Sequence, residues 1–244
     1  MEKYQIEEIT NKIIQGDCLD IMKKMDNESV DLLLTDIPYG GVNRKSNGLR
    51  NLDKKDADVF TMDMQFLIRE MVRVTKGSGY IFCGWEQLSE IVSIIRDIDI
   101  SNRVIVWEKT NPSPMNGQNI WLSGIELAVY FKKRKATYNQ HCKNVVVRFP
   151  CGRGKVHPTE KPLSLFKKFI EVSSNEGDIV FDPFLGSGTT VVGAIELNRK
   201  YIGVELSPKY FQVAENKINS YLLRKKQQNE TKKESKLSSE RHLL

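Results

Sequence analysis

Residues 36–39, Asp-Ile-Pro-Tyr, set a carboxylate, a turn and an aromatic ring side by side, one residue after the apolar run 32–34. A strand that stops on an acid and then turns offers that acid at its carboxyl end, where an open α/β sheet meets its ligands. Taken alone, the tetrapeptide reads equally well as an Asp-Pro turn. A second stretch, "DPFLGSGTT" from Asp182 to Thr190, has a comparable build. An apolar run ends at Asp182, the small residues Gly186, Ser187 and Gly188 follow, and Thr189 opens a helical pattern, an order that aims backbone N–H groups at a ligand. A nucleoside triphosphate does not suit it, because Gly188 is followed by Thr189 where the phosphate-binding loop needs lysine. A dinucleotide fits poorly, since Val191 stands where a third glycine is required. Beyond Asp182, the run 201–204 ends on Glu205, a carboxylate suited to ribose hydroxyls. Together these residues predict a ribose-bearing cofactor without a pyrophosphate.

Parallel strands separated by helices can hold two such strand ends near each other. Apolar runs predict strands over 12–14, 30–35, 79–83, 103–107, 125–131, 179–181 and 201–204. Helical spacing predicts helices over 18–24, 64–74, 86–95, 162–173, 189–197 and 208–223. The pattern is α/β, with a mostly parallel seven-stranded sheet and helices on both faces. Segments 41–60 and 109–124 are polar, rich in Asn, Gly and Pro, and too long for plain connections in one domain.

The 244 residues, 40% of them hydrophobic, bound the class: a globular chain with one sizeable core over 1–223. The net charge of +6 favours a polyanionic partner, yet seven basic and three acidic residues from Arg224 onward supply +4 of it. That tail, 224–244, is polar and predicted to be disordered. Basic clusters at 43–55, 132–135 and 148–155 are the remaining candidates for a nucleic-acid surface, with Arg44, Arg50, Arg148 and Arg153 as phosphate or base contacts. The four cysteines form no CxxC pair and the three histidines no ligand spacing, so no metal is expected. The chain opens without a signal-peptide pattern and holds no run long enough for a membrane span, which predicts a reduced, cytoplasmic protein.

"TDIPYG" at 35–40, "HPTEKP" at 157–162, "DPFLGSGTT" and "YIGVELSPKY" at 201–210 occur in one order, with "GDCLDIM" at 16–22 and "WEKTNPSP" at 107–114. This set resembles the β group of DNA amino-methyltransferases, in which the catalytic motif precedes the target-recognition segment and the cofactor motif comes last. The resemblance covers nearly all of 13–223. It implies a circularly permuted, Rossmann-like methyltransferase fold that takes S-adenosylmethionine as cofactor and DNA as partner. It also implies a recognition insertion at about 113–156, a cognate restriction endonuclease and a homodimer. Asp182, Pro183, Phe184, Gly186, Ser187, Gly188 and Thr189 would then wrap the methionine half of the cofactor, Glu205 the ribose, and Asp17 with Cys18 the adenine end. Asp17 reads equally as a helix N-cap. Lys161, and Asp36 itself, would lie beside the cofactor.

The same resemblance gives residues 36–39 a chemistry. An exocyclic amino group on an aromatic base is a poor nucleophile, because its lone pair is delocalised into the ring. Asp36 accepting one N–H and the Ile37 carbonyl the other would draw the nitrogen toward tetrahedral geometry and aim its lone pair at the methyl group. Pro38 would stiffen the turn. The base must leave the duplex, and stacking on Tyr39 would recover roughly 1–3 kcal/mol of the cost. The family's usual D-P-P-Y has proline where this chain has Ile37, which removes one fixed φ and predicts a looser turn. Asp in the first position points to adenine N6, with cytosine N4 as the alternative. Methylation of RNA or protein amino groups, or a nucleic-acid-binding module without catalysis, are further alternatives. Pro150-Cys151 would suit the thiolate chemistry of cytosine C5, but the accompanying glutamine and acid motif are absent. Trp85, Trp107 and Trp121 are read as core residues without assigned function.

Overall fold

In the computed structural model, residues 3–39, 62–112, 119, 121–141, 144–152 and 160–241 are described. The elements in chain order are α1 (Ile6–Ile9), β1 (Lys12–Gln15), α2 (Cys18–Lys24), β2 (Val30–Asp36), α3 (Met64–Val74), β3 (Thr75–Cys83), α4 (Leu88–Asp97) and β4 (Ser101–Lys109). They continue with β5 (Ile125–Lys132), β6 (Val146–Phe149), α5 (Leu163–Ser173), β7 (Ile179–Asp182), α6 (Thr189–Glu196), β8 (Lys200–Glu205) and α7 (Pro208–Arg241).

The strands build one sheet in the order β1-β8-β7-β2-β3-β5-β4-β6. Only β5 runs against the rest, pairing antiparallel with both β3 and β4. The sheet is therefore mostly parallel as expected, but it has eight strands instead of seven. The extra one is β6, which adds to β4 at the edge within the segment read as a recognition insertion. Its burial alternates between exposed and partly buried residues, and so short an edge strand gives little apolar signal in sequence.

β2 explains the two-faced core. Leu33 packs on the face covered by α2, α3 and α4, while Leu32 and Leu34 pack on the other with Phe166 and Phe169 of α5, and all three leucines are fully buried. Each such side chain contributes about 1.5–3 kcal/mol through apolar burial. Continuous burial on both faces is what a central parallel strand requires. In β3, a Cβ on Gly79 would come within 2.1 Å of the Phe131 ring, so glycine there lets β5 lay its phenylalanine across the neighbouring strand.

Asp17 caps α2 by accepting from Leu19 N (2.8 Å), and Asp63 caps α3 by accepting from Gln65 N (2.9 Å). The helix that follows β2 lies on the first face, while α6, which follows β7, contributes Ala194 to the core of the second. The chain thus leaves adjacent strands β2 and β7 in opposite directions, and a crevice opens between their carboxyl ends.

α7 runs to Arg241, beyond the point where order was expected to end. Residues 209–241 contain neither glycine nor proline and are rich in Lys, Glu and Gln, a composition with good helix propensity even without an apolar face. Lys225 donates to the carbonyl of Ile195 and to Asn198 Oδ1 (3.1 Å), so the first part of the tail closes the carboxyl end of α6.

Candidate active site

The crevice contains both strand ends singled out in the sequence. Thr35, the residue before Asp36, donates its hydroxyl to Asp182 Oδ1 (2.7 Å), joining β2 to β7 at that point. Asp182 also accepts from Phe184 N (3.1 Å) and Thr190 Oγ1 (2.6 Å). Its carboxyl group is buried and committed to three internal bonds, which makes it the clip of the small-residue turn. Burial pushes it up to about 6, against the three donors that favour the charged form.

Gly186 and Gly188 both have positive φ, 54° and 84°, in the left-handed region that glycine enters without strain. A Cβ on Gly188 would meet Ala214 of α7 at 3.3 Å, so this glycine also answers to packing. Glu205 accepts from Gly186 N (2.8 Å) through Oε2 and from Ser207 N (2.9 Å) through Oε1. Burial raises its pKa, opposed by these backbone donors. Ser187 and Thr189 are buried, with their hydroxyls 3.3 Å apart, and Thr189 donates to Glu160 (2.9 Å). Glu160 is also paired with Lys217 of α7. Gly16 N donates to Glu205 O (3.0 Å), which sets Asp17 beside the end of β8. Cys18 is in the core, and burial pushes its thiol up to about 12.

Asp36 is the centre of the second cluster. Tyr39 Oη donates to its Oδ1 (2.8 Å) and Lys161 Nζ to its Oδ2 (2.5 Å). Lys161 also lies 3.3 Å from the Tyr39 hydroxyl and 3.0 Å from Glu126 Oε2, and Glu126 pairs in turn with Lys109 (2.8 Å). The Lys161 side chain is 6% exposed. Burial raises the Asp36 pKa above the usual carboxylate range against the pull of Lys161. Burial would lower Lys161, but Asp36 and Glu126 outweigh it and raise the ammonium. For Glu126 burial acts upward, and Lys161 and Lys109 bring it below its ordinary value.

The turn after Asp36 is pinned, contrary to the looseness expected from replacing proline. Ile37 is buried at 1% exposure and donates its N–H to Phe82 O (3.1 Å), a bond that proline could not make. Its carbonyl accepts no hydrogen bond from a described residue. The Pro38 carbonyl accepts from Gln87 Nε2 (3.0 Å), and Gln87 Oε1 accepts from Gly84 N (3.0 Å), which ties the turn to the end of β3.

Of the sequence-predicted residues, Asp36, Ile37, Pro38, Tyr39 and Lys161 converge, and Asp182, Pro183, Phe184, Gly186, Ser187, Gly188, Thr189 and Glu205 form the adjoining turn. Arg148 is exposed and paired with Glu108 (2.9 Å). Arg44, Arg50 and Arg153 lie outside the described residues, as do His157, Pro158 and Thr159. Cys151 follows the edge strand β6, four strands from β2, and donates its N–H to Asn111. Trp107 is buried, as read, but Trp85 and Trp121 are exposed rather than core. Glu126, Lys109 and Gln87 escaped the sequence reading. The available signal was an acid set inside the apolar run 125–131, which a sheet edge would not need. Among the described residues no His, Cys, Asp or Glu cluster could hold a metal, and no helix is long and apolar enough to cross a membrane.

The chain is similar to known proteins over most of its length. The N6/N4-type family described as DNA methylase matches residues 30–216. The Type II methyltransferase M.HinfI of Haemophilus influenzae is 31% identical over 255 residues, covering 89% of this chain and 71% of its own. M2.DpnII of Streptococcus pneumoniae is 28% identical, covering 85% and 89%. The crystal structure of an M1.HpyAVI–SAM complex superposes with a TM-score of 0.67 at 28% identity, over 85% of this chain and 98% of that one. The cytosine-N4-specific PvuII DNA methyltransferase shares the fold, with a TM-score of 0.65 at 19% identity over 87% and 91% of the two chains. With residues 36–39 and the small-residue turn at 186–189 both inside the matched region, the chain belongs to the N6/N4 DNA methylase family.

Proposed function

We propose that the protein methylates the N6 amino group of adenine in DNA, with S-adenosylmethionine as donor. The observation that carries this reading is the convergence of an acid, Asp36, with a carbonyl that accepts no described hydrogen bond, Ile37, and an aromatic ring, Tyr39, beside the turn at 186–189. The residues of that turn fit the cofactor: the N-terminus of α6, which the left-handed Gly186 and Gly188 lead into, and the carboxylate of Glu205 are a donor and an acceptor for a group with a carboxylate and a ribose. When bound, the cofactor supplies an electrophilic methyl on a sulfonium sulfur.

The chain's own residues prepare the nucleophile. Asp36 and the Ile37 carbonyl accept the two N–H bonds of the extruded base, and acceptors aimed at a nitrogen gaining positive charge act mainly in the transition state. Tyr39 stacks on the base. Asp36, which accepts one of the amino N–H bonds, takes the proton that the nitrogen gives up. The aspartate in the first position supports adenine over cytosine by family resemblance. A cognate endonuclease is part of the same proposal, motivated by the Type II methyltransferases among the relatives.

The test is to incubate the protein with labelled cofactor and unmethylated DNA, digest to nucleosides and identify the product. N6-methyladenine is expected, with Cys151→Ala as active as the parent. N4-methylcytosine alone would reverse the base assignment, and loss of turnover in Cys151→Ala with cofactor affinity intact would replace direct transfer with thiolate chemistry.

A further inference from the structure

Both oxygens of Asp36 are engaged before any base arrives, Oδ1 by the Tyr39 hydroxyl and Oδ2 by the Lys161 ammonium. Lys161 has a second consequence. A positive group 2.5 Å from the carboxylate cancels the negative charge that must stabilise an amino nitrogen turning cationic. Resting geometry and catalysis therefore make opposite demands on one lysine.

Glu126 is placed to reconcile them. Its Oε2 is buried and 3.0 Å from Lys161 Nζ, yet among the described residues that oxygen has no aligned hydrogen bond. A small rotation of the ammonium would supply one. Its other oxygen is held by Lys109, and its strand, β5, is fixed between β3 and β4, so the carboxylate cannot follow Lys161 toward Asp36. Lys161 is almost wholly shielded from water, so an ammonium leaving Asp36 needs a protein acceptor.

We propose that Glu126 is a positioning residue for Asp36: it receives the Lys161 ammonium when a substrate amino group engages the Asp36 carboxylate. This rests on the amino-methyltransferase reading above. Among the described residues, the charged and titratable groups facing the cluster are Asp36 and Tyr39 from β2 and its turn, Cys83 from β3, Lys109 from β4, Glu126 from β5, Asp182 from β7 and Lys161 ahead of α5. With two carboxylates sharing Lys161, the ammonium neutralises Asp36 less completely than in an isolated pair, and the nearby Glu126 charge raises the Asp36 pKa. A purely structural ion pair would hold β5 to the segment before α5 and leave the titration of Asp36 unused.

Glu126→Gln separates the two. Its kcat should fall roughly tenfold or more, with DNA KM and cofactor affinity within about threefold of the parent. In the cofactor-free protein, the Asp36 carboxyl followed by carbon-13 NMR should titrate at lower pH, because a neighbouring negative charge is gone and Lys161 is no longer shared. The acid limb of the kcat profile should move the same way. Glu126→Asp, which keeps the charge, should recover part of kcat and return the titration toward its original position. In a Lys161→Met background, Glu126→Gln should cost little further activity, since no ammonium remains to be withdrawn. Parent-like kcat in Glu126→Gln, an unmoved Asp36 titration, or a full further loss in the Lys161→Met background would each overturn the proposal. A parent enzyme that methylates no amino group on DNA would instead overturn the reading on which it rests.

Discussion

Asp36 and Tyr39 are three residues apart and bonded to each other, so replacing either affects both, but in separable ways. Asp36→Ala removes an acceptor used mainly as the nitrogen becomes tetrahedral, and kcat should fall far more than DNA or cofactor affinity. A fluorescent base analogue at the target position should still report extrusion in that variant. Tyr39→Phe keeps the stacking face and deletes the hydroxyl that favours the charged form of Asp36. The Asp36 pKa should rise further, so the acid limb of kcat should move to higher pH, opposite to the direction expected for Glu126→Gln. If Tyr39→Phe leaves that limb in place, Asp36 is not the group that titrates in it. Loss of cofactor binding in both Asp36→Ala and Tyr39→Phe would make the strand end a cofactor support instead.

Two strand ends become one site through β2, β7 and the turn after β7, and Asp182 is the residue they share. Its folded pKa of about 6 lies above the ordinary value of 3.8. For a carboxyl raised on folding, the stabilising contribution is complete below the unfolded pKa and is lost as pH rises through the folded one. The loss should therefore run from about pH 4 to about pH 6 and amount to at most about 3 kcal/mol. Asp182→Asn cannot titrate, so the difference in Tm between parent and variant should shift in the variant's favour as pH climbs through that window. A difference that stays constant with pH would mean that Asp182 is charged throughout. Thr35→Val tests the joint from the other strand: leaving a buried carboxyl one donor short should cost about 1–3 kcal/mol.

At the scale of the molecule, α7 divides into a part that packs and a part that extends. Ala214 and Ile218 are buried against α6, and Lys225 closes the end of α6, while side chains are described only to Gln227. Removing 228–244 should leave Tm and cofactor affinity unchanged. Removing 224–244 should lower Tm by roughly 2–4 °C, the equivalent of about 1 kcal/mol for a lost helix-end contact. It also deletes +4 of net charge, so non-specific DNA binding should weaken and its salt dependence flatten. Equal Tm values for the two truncations would remove Lys225 from any structural role.

The amino-acid sequence by itself determined the α/β class, the parallel character of the sheet and both strand-end motifs. Those properties are written in local periodicity and in turns that only certain residues can make, such as Gly186 and Gly188 with positive φ. α2 and α3 were legible to their end residues for the same reason: Asp17 and Asp63 cap them from adjacent positions. β6 was not legible, because four half-exposed residues become a strand only when the edge of β4 supplies partners. The tertiary structure alone decided what the buried charges do. Lys161 and Asp36 are 125 residues apart and Thr35 and Asp182 are 147 apart. Glu126 looks like an interruption of an apolar strand until the sheet order brings β5 beside β3. Ile37, an apparent loss of rigidity in sequence, is held by a neighbouring strand's carbonyl and by the core. Charge pairing and burial act through space, and chain separation carries almost no information about them until the sheet is assembled.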